Sequence, residues 1–241
     1  MNIHRATIND CHLETDTAIV IDVLRAFTTA AFAFSRGARE IALVSSVEDA
    51  FRLKALFPHA MLMGEDRGHP IQGFDFDNSP SRLLHHDLTG ALLIQRTSAG
   101  TQGAVRSQAR NILVTGFCTV SATLRFIRDI QPGSLTLVQT GVIRDGWGDE
   151  DVACADLIES RIRGWTIDLC ELKERVRNSR DGKLFTTPDH IAFPAADLEA
   201  SLDIDRFDFA MKVHNLDGVR FLRKAAQQVQ DTGLPDLSTN A

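Results

Sequence analysis

AIVIDV, residues 18–23, is the stretch that decides the fold. It is short, β-branched and free of the apolar–polar alternation of a half-solvated strand, as expected of a strand buried on both faces of a parallel sheet. Residues 24–35, LRAFTTAAFAFS, carry Ala and Phe at helical spacing, and Gly37 is a natural C-terminal stop. The weakly charged, Phe-rich part of this helix, 26–34, fits a core, with a homo-oligomer interface as its other use.

The same alternation continues outward along the chain. A strand is expected at 41–44, then a helix at 47–56 capped by Ser46, with Glu48 and Asp49 in its first turn. Further strands are expected at 60–63, 91–95, 111–115 and 135–139. The intervening helices span 81–86, 102–108, 119–128 and about 150–161. Strands and helices in this order indicate an α/β fold with helices layered on a mostly parallel or mixed sheet. The tail reads as helical pieces at 171–178 and 197–202, a strand at 208–213 and a closing helix at 218–229, with fraying from Thr232. No linker marks a boundary, so a single domain is expected. A faint echo between 19–31 and 112–124 allows two similar halves, about 1–110 and 111–230.

Composition narrows the function class. The 241 residues are 44% hydrophobic and 24% charged, which is ordinary for a globular chain and excludes a disordered or fibrous one. The net charge is −6 with acids and bases interspersed, so no basic face for nucleic acid is expected. No apolar run approaches the roughly 18–20 residues of a membrane span. The start, MNIHRATIND, lacks the apolar centre of a signal peptide, so a cytoplasmic location is the default expectation. Cys11, Cys118, Cys154 and Cys170 form no CxxC pair and read as small buried hydrophobes. Tyr is absent, which excludes any chemistry resting on a phenol.

The chemistry is concentrated at the expected carboxyl ends of strands, where open α/β sheets bind ligands. Residues 61–80, MLMGEDRGHPIQGFDFDNSP, form a long irregular segment anchored by Ile71, Phe74 and Phe76. It holds Glu65, Asp66, Arg67, Asp75, Asp77, Asn78 and Ser79, suiting it to a cation or polar ligand. Asp22 and Arg25 follow the first strand; Arg96, Thr97, Ser98, Ala99, Gly100 and Thr101 follow another; Asp145, Asp149, Glu150 and Asp151 follow a third. The Thr97–Thr101 turn offers N–H groups and hydroxyls to an anion, Arg25, Arg67 and Arg96 offer bidentate contacts, and the carboxylates suit a hard cation such as Mg²⁺. An anion cradle beside a hard cation points to phosphoryl chemistry. Each feature also has a plainer use. Asp22 can cap the next helix, the TSAGT turn is an ordinary helix start, and Asp149 to Asp151 complement a helix dipole. The histidines show no HExxH spacing, and a GxxxxGK[ST] loop, a Cys-based phosphatase signature and a DxD nucleophile pair are all missing.

Ile21-Asp22-Val23-Leu24-Arg25-Ala26, Gly64-Glu65, Gly73-Phe74-Asp75, Asn78-Ser79-Pro80, the Thr97–Thr101 turn and Gly148-Asp149-Glu150-Asp151-Val152-Ala153-Cys154-Ala155 occur in order. Together they resemble the 2-phosphosulfolactate phosphatase (ComB) family from about Ala18 to the Gly218 region. The resemblance implies a Mg²⁺-dependent acid phosphatase on an α/β fold of its own type. The implied reaction is hydrolysis of 2-phospho-3-sulfolactate to 3-sulfolactate and phosphate, a step in coenzyme M biosynthesis. Two departures fall on the anion-facing rim: TSAGT stands where the family has TTxNGT, and Glu65-Asp66-Arg67-Gly68 separates the acid from its Arg and Gly.

The resulting expectation assigns Mg²⁺ to Asp22, Glu65 and Glu150, directly or through water. The substrate is a small anionic phosphoester held by Arg25, Arg67, Asn78, Ser79, Thr97, Ser98, Gly100 and Thr101. Asp75 or Asp151 orients the attacking water, with Asp22 as a covalent nucleophile being the other route. A non-catalytic anion-binding or regulatory domain on the same fold, a phosphatase for another carboxylated phosphoester, and a phosphotransferase are the competing functions.

Overall fold

A computed structural model describes residues 1–141, 148–187 and 191–225. The expected alternation is present from β2 (Thr17–Ile21) and α1 (Ala26–Ser35), preceded by β1 (Asn2–Ala6). Next come β3 (Glu40–Val44), α2 (Val47–Leu56), β4 (Met61–Asp66) and β5 (His69–Pro70), then α3 (Pro80–Leu83) and β6 (Leu92–Arg96). They are followed by α4 (Gly100–Arg106), β7 (Asn111–Thr115), α5 (Val120–Ile130) and β8 (Ser134–Gln139). The remainder is α6 (Asp149–Arg163), α7 (Leu169–Arg177), α8 (Arg180–Leu184), α9 (Ala195–Ser201), β9 (Met211–Leu216) and β10 (Val219–Lys224). α2 starts as its sequence dictates, with Ser46 Oγ accepting the Asp49 N–H at 3.0 Å.

Among the described residues ten strands form one sheet in the order β1-β8-β2-β7-β9-β10-β3-β6-β4-β5. The pairs β1–β8, β8–β2 and β2–β7 form one parallel block and β3–β6 and β6–β4 another, and the three antiparallel pairs between the blocks run the second opposite to the first. The antiparallel pair β9–β10 joins the two parallel blocks, β9 on β7 and β10 on β3.

This join corrects the sequence reading. Residues 219–224 are a strand, not the start of a closing helix, and the rest of the expected helix and the frayed end lie outside the described residues. The reason is the two-residue Asp217-Gly218 turn, with φ of 50° and 83°, which is the left-handed pair that a tight hairpin needs. Both edges of β10 then find partners, and Leu222 is buried while Phe221 packs on the opposite face. The strand expected at 208–213 begins later, at Met211. β1 was not legible, because most of its residues are exposed and it is tied in by pairing with β8 alone.

α1 is the centre of the fold. Ala26 through Phe34 are all buried within this one chain, as its all-round apolar composition requires. One continuous core joins it to residues of β2, β3, β4, β6, β7, β8, β9 and β10. A second core lies on the other face of β2, β7 and β8 under α5, α6, α7 and α9, and α2 covers a third with the outer face of β3, β4 and β6. In the sheet β2 and β6 are five strand intervals apart, about 24 Å if the sheet were flat. Yet a Cβ on Gly100, just past β6, would lie 2.7 Å from Asp22 Oδ2, just past β2. The sheet is therefore strongly curled, with α1 in its concave side and the tips of β2 and β6 brought together.

Gly64 marks a close approach between β4 and β6. Its φ is 147°, and a Cβ there would stand 1.9 Å from the Arg96 carbonyl oxygen. Gly64→Ala must force the two strands apart and is expected to cost about 3 kcal/mol, read as a lower urea midpoint at unchanged m-value. An unaltered midpoint would contradict the β4–β6 pairing described here.

Candidate functional site

The rim around Asp22 is built from four loops. β2 delivers Asp22 to the start of α1, where its Oδ1 accepts the Ala26 N–H at 2.9 Å. The plain capping role of Asp22 is thus real, but it occupies one oxygen; Oδ2 faces Gly100, whose N–H also favours the charge. Gln95, buried at the end of β6, donates to the Ala26 carbonyl at 3.0 Å and ties the same turn from the other side.

Three carboxylates meet at this rim. Glu150 and Asp151 open α6, and both are buried. Asp151 is held rigidly: Oδ1 accepts the Val23 N–H at 2.9 Å, and Oδ2 accepts the Gly141 N–H at 2.7 Å and the Thr140 hydroxyl at 3.3 Å. It therefore ties the β2–α1 turn to the end of β8. Gly141 leaves the room for this: a Cβ there would stand 2.9 Å from Glu150 Oε1 and 3.2 Å from Asp151 Oδ2.

Burial pushes the Asp22 carboxyl up to about 6, with the Glu65 charge adding to it against the opposing Ala26 and Gly100 N–H groups and Arg25. Burial likewise pushes Glu150 up to about 8, helped by the charges of Asp181, Asp22 and Asp149. Asp151 is raised well above the usual carboxylate range, by burial first and then by Glu150 and Asp22. These groups shift one another because like charges crowd a water-poor place, which is a common property of functional sites.

Glu65 stands at the end of β4, and both oxygens of its carboxylate are hydrogen-bonded. It accepts the Ser98 N–H and the Gly68 N–H, and the Ser98 hydroxyl at 3.1 Å. Arg96 donates to the Glu65 carbonyl at 2.7 Å and to Asp66 at 2.8 Å. The Ser98 hydroxyl also accepts the Arg67 N–H at 2.8 Å, which holds Arg67 at a φ of 50° at the tip of the β4–β5 hairpin. The Arg67 side chain is exposed and makes no hydrogen bond or ion pair among the described residues. Thr97 and Thr101 satisfy each other: Thr97 N–H donates to Thr101 Oγ1 at 2.9 Å and Thr101 N–H to Thr97 Oγ1 at 3.0 Å. The TSAGT turn is thus a self-capped helix start that presents Gly100 to Asp22.

Other expected site residues lie elsewhere or serve another part. Arg25 is buried, pairs with Asp197 at 2.7 Å, donates to the Ala192 carbonyl at 3.0 Å and packs against both the Phe185 and Phe193 rings. Ser79 Oγ donates to the same Asp197 at 2.8 Å. Asn78 is buried with its Oδ1 unpartnered. Asp75 is exposed, away from the Asp22 cluster in bonding, and accepts the Leu62 N–H at 2.7 Å, tying the long segment to β4. Asp145 lies outside the described residues. The residue that sequence reasoning missed is Asp197, which carries no local signal beyond being one acid of a short helix.

Among the described residues no group of three or more His, Cys, Asp and Glu side chains is spaced to enclose a metal ion by itself. Mg²⁺ asks for less: one or two carboxylates, with water and substrate oxygens completing an octahedron. Asp22 and Glu150 fit that demand, since both are buried, the Asp22 charge helps push Glu150 up, and a cation beside them would relieve the repulsion. Glu65 Oε2 already accepts Gly68 and the Ser98 hydroxyl, whereas Oε1 accepts the Ser98 N–H alone and keeps a lone pair.

Comparison with known proteins adds a family. A family model described as 2-phosphosulpholactate phosphatase matches residues 3–215. A relative from Bacillus subtilis (strain 168), named a probable 2-phosphosulfolactate phosphatase, is 36% identical over 200 residues, 82% of this chain and 87% of the relative. One of the same name from Thermoplasma volcanium is 27% identical over 190 residues, covering 79% of this chain and 85% of the relative. Another from Deinococcus radiodurans is 34% identical over 146 residues, 59% of this chain and 60% of the relative.

The raised carboxyl groups make stability pH-dependent in an unusual direction. Folding lifts Asp22 and Glu150 above their unfolded pKa values, so their ionisation opposes folding fully above about pH 8 and the penalty fades as pH falls towards about 4.5. In EDTA, Asp22→Asn/Glu150→Gln is expected to unfold later than wild type at about pH 8.5, by on the order of 2 kcal/mol. That advantage should shrink steadily towards about pH 5.5. A gap independent of pH would show that the two groups are not strained by burial.

Proposed function

The chain belongs to the 2-phosphosulpholactate phosphatase family, and from that premise we propose that it hydrolyses 2-phospho-3-sulfolactate to 3-sulfolactate and phosphate with Mg²⁺. The observation that carries this reading is the buried Asp22–Glu150–Asp151 cluster where the segments after β2, β6 and β8 meet. Three mutually repelling carboxylates are costly to bury unless a cation and a phosphoryl group meet them there.

Asp22 Oδ2 and the Glu150 carboxylate would hold the ion, with Asp22 Oδ1 fixed by the Ala26 N–H. When bound, Mg²⁺ neutralises phosphoryl oxygens and the charge that develops as the ester bond breaks. Asp151 keeps a second lone pair on Oδ1 beyond its bond from Val23, and this oxygen takes the proton of the attacking water. Water adds to phosphorus, the bond from phosphorus to the C2 oxygen breaks, the leaving alkoxide takes a proton from solvent water, and Asp151 returns its proton to solvent. Arg67, exposed on the hairpin tip and fixed through its backbone by Ser98, reaches the carboxylate or sulfonate of the substrate. Arg25 serves by shape rather than by direct grip, since Asp197 and the Ala192 carbonyl hold its guanidinium.

Phosphate release from 2-phospho-3-sulfolactate and a panel of phosphomonoesters, with Mg²⁺ and with EDTA, tests this. Release is expected to need Mg²⁺ and to favour the sulfonated ester. Asp22→Asn should lower kcat/KM at least about 100-fold, and Arg67→Ala should raise KM with a smaller effect on kcat. Release that persists in EDTA would remove the metal from the mechanism, and preference for another carboxylated ester would replace the substrate.

A further inference from the structure

Asp197 is wholly buried, at the start of α9, yet it does not cap its own helix. Its oxygens reach across to two distant segments. Oδ2 receives Arg25 at 2.7 Å, and Oδ1 receives the Ser79 hydroxyl at 2.8 Å, the Ser81 N–H at 3.0 Å and the Ser81 hydroxyl at 2.6 Å. The Ser81 bond makes Asp197 a cap supplied to α3 from another part of the chain. The Arg25 bond makes it the counter-charge of the residue three positions beyond Asp22.

Arg25 carries the connection onward. Its NH2 stands 3.5 Å from the Gly68 carbonyl, and its guanidinium lies 5.2 and 5.1 Å from the Phe185 and Phe193 rings. Phe193 in turn backs Gly68 closely: a Cβ there would meet its ring at 2.6 Å. Gly68 is the residue whose N–H is bonded to Glu65. One buried carboxylate thus touches the turn bearing Asp22, the end of the long segment at Ser79 and Ser81, and, through Arg25, the hairpin bearing Glu65 and Arg67.

We infer that Asp197 is a positioning residue for the phosphatase site, setting through Arg25 the distance between the Asp22 turn and the Glu65–Arg67 hairpin; this rests on the function proposed above. A buried ion pair is weak evidence of stabilisation, because well-packed apolar residues often replace one without loss. What such a pair does supply is direction. Asp197 has four donors from two segments far apart in sequence, and they can be satisfied together only when α3, α9 and the Asp22 turn are in this one arrangement.

The test compares Asp197→Asn with Ser81→Ala. The first keeps the shape and removes the charge facing Arg25; the second drops one hydroxyl and leaves the ion pair intact. Two readouts are taken: kcat/KM per folded molecule on the Mg²⁺-dependent ester reaction, and amide hydrogen exchange. For Asp197→Asn the expectation is a loss of about 10- to 100-fold in kcat/KM. It is accompanied by faster exchange at the rim amides of Ala26, Gly68 and Ser98, with the β2–β7 amides unchanged. Ser81→Ala should stay within about twofold of wild type in kcat/KM while melting earlier. Should Asp197→Asn fail to fold, Arg25→Met/Asp197→Leu removes both charges and is read by the same exchange pattern. Equal acceleration at rim and core, or unchanged kcat/KM in folded Asp197→Asn, would overturn the inference and leave Asp197 as structural glue. If the wild-type chain releases no phosphate from any ester, the phosphatase reading falls on that result, and the exchange pattern still decides the role of Asp197.

Discussion

The enclosure of α1 is the constraint on which the rest of the molecule depends. A helix with Ala and Phe on every side has no face for water, so the sheet must wrap it. The curl that results carries the tip of β6 across to the tip of β2, and Gly100 is small enough to let Asp22 and Ala26 meet it closely. Without the curl, Asp22 and the TSAGT turn would sit on opposite parts of a broad sheet. The site is therefore a by-product of burying one apolar helix, and the β9–β10 hairpin is the piece that closes the distance between the two parallel blocks.

Against that apolar centre the carboxylates at the rim stand out as a local cost. Asp22, Glu150 and Asp151 are nearly as buried as the Phe side chains of α1; Asp22 makes Glu150 harder to ionise, and both do so to Asp151. Their backbone donors, Ala26, Val23 and Gly141, hold them in place while only partly offsetting the loss of water. Strain of this sort at a strand-end rim, in a chain of this family, is what a phosphoryl site with a divalent cation would relieve. A second buried charge cluster, Arg25 with Asp197, is different in kind: it is paired and packed against two aromatic rings. The two clusters share the turn from Asp22 to Arg25.

Much of this was legible beforehand because it is local. The unalternating run that became β2, the Ser46 cap of α2, the strands at β3 and β7 and the acidic opening of α6 each declare themselves within about ten residues, through periodicity, turn residues or a cap. An all-parallel sheet would put these strand ends on one rim; instead the two blocks run in opposite directions, and the tips of β2 and β6 meet because the sheet curls. The closing hairpin was not legible: its apolar residues also fit one side of a helix, and the Asp217-Gly218 turn decides otherwise only once β3 and β7 are both there to pair with it.

By itself, then, the sequence determined the α/β alternation, the apolar helix after AIVIDV, and the set of acids, arginines and small turns that gather at strand ends. Tertiary structure alone decided which of them act together. Arg25 looked free for an anion, but a carboxylate 172 residues further on holds it. Glu65 looked free for a metal, but Ser98 and Gly68 already donate to it. Asp75 looked catalytic, but it ties Leu62. The physical reason is the same in each case. A side chain's type and local spacing state what it can bond, whereas what it does bond is set by which distant segment packing brings within about 3 Å.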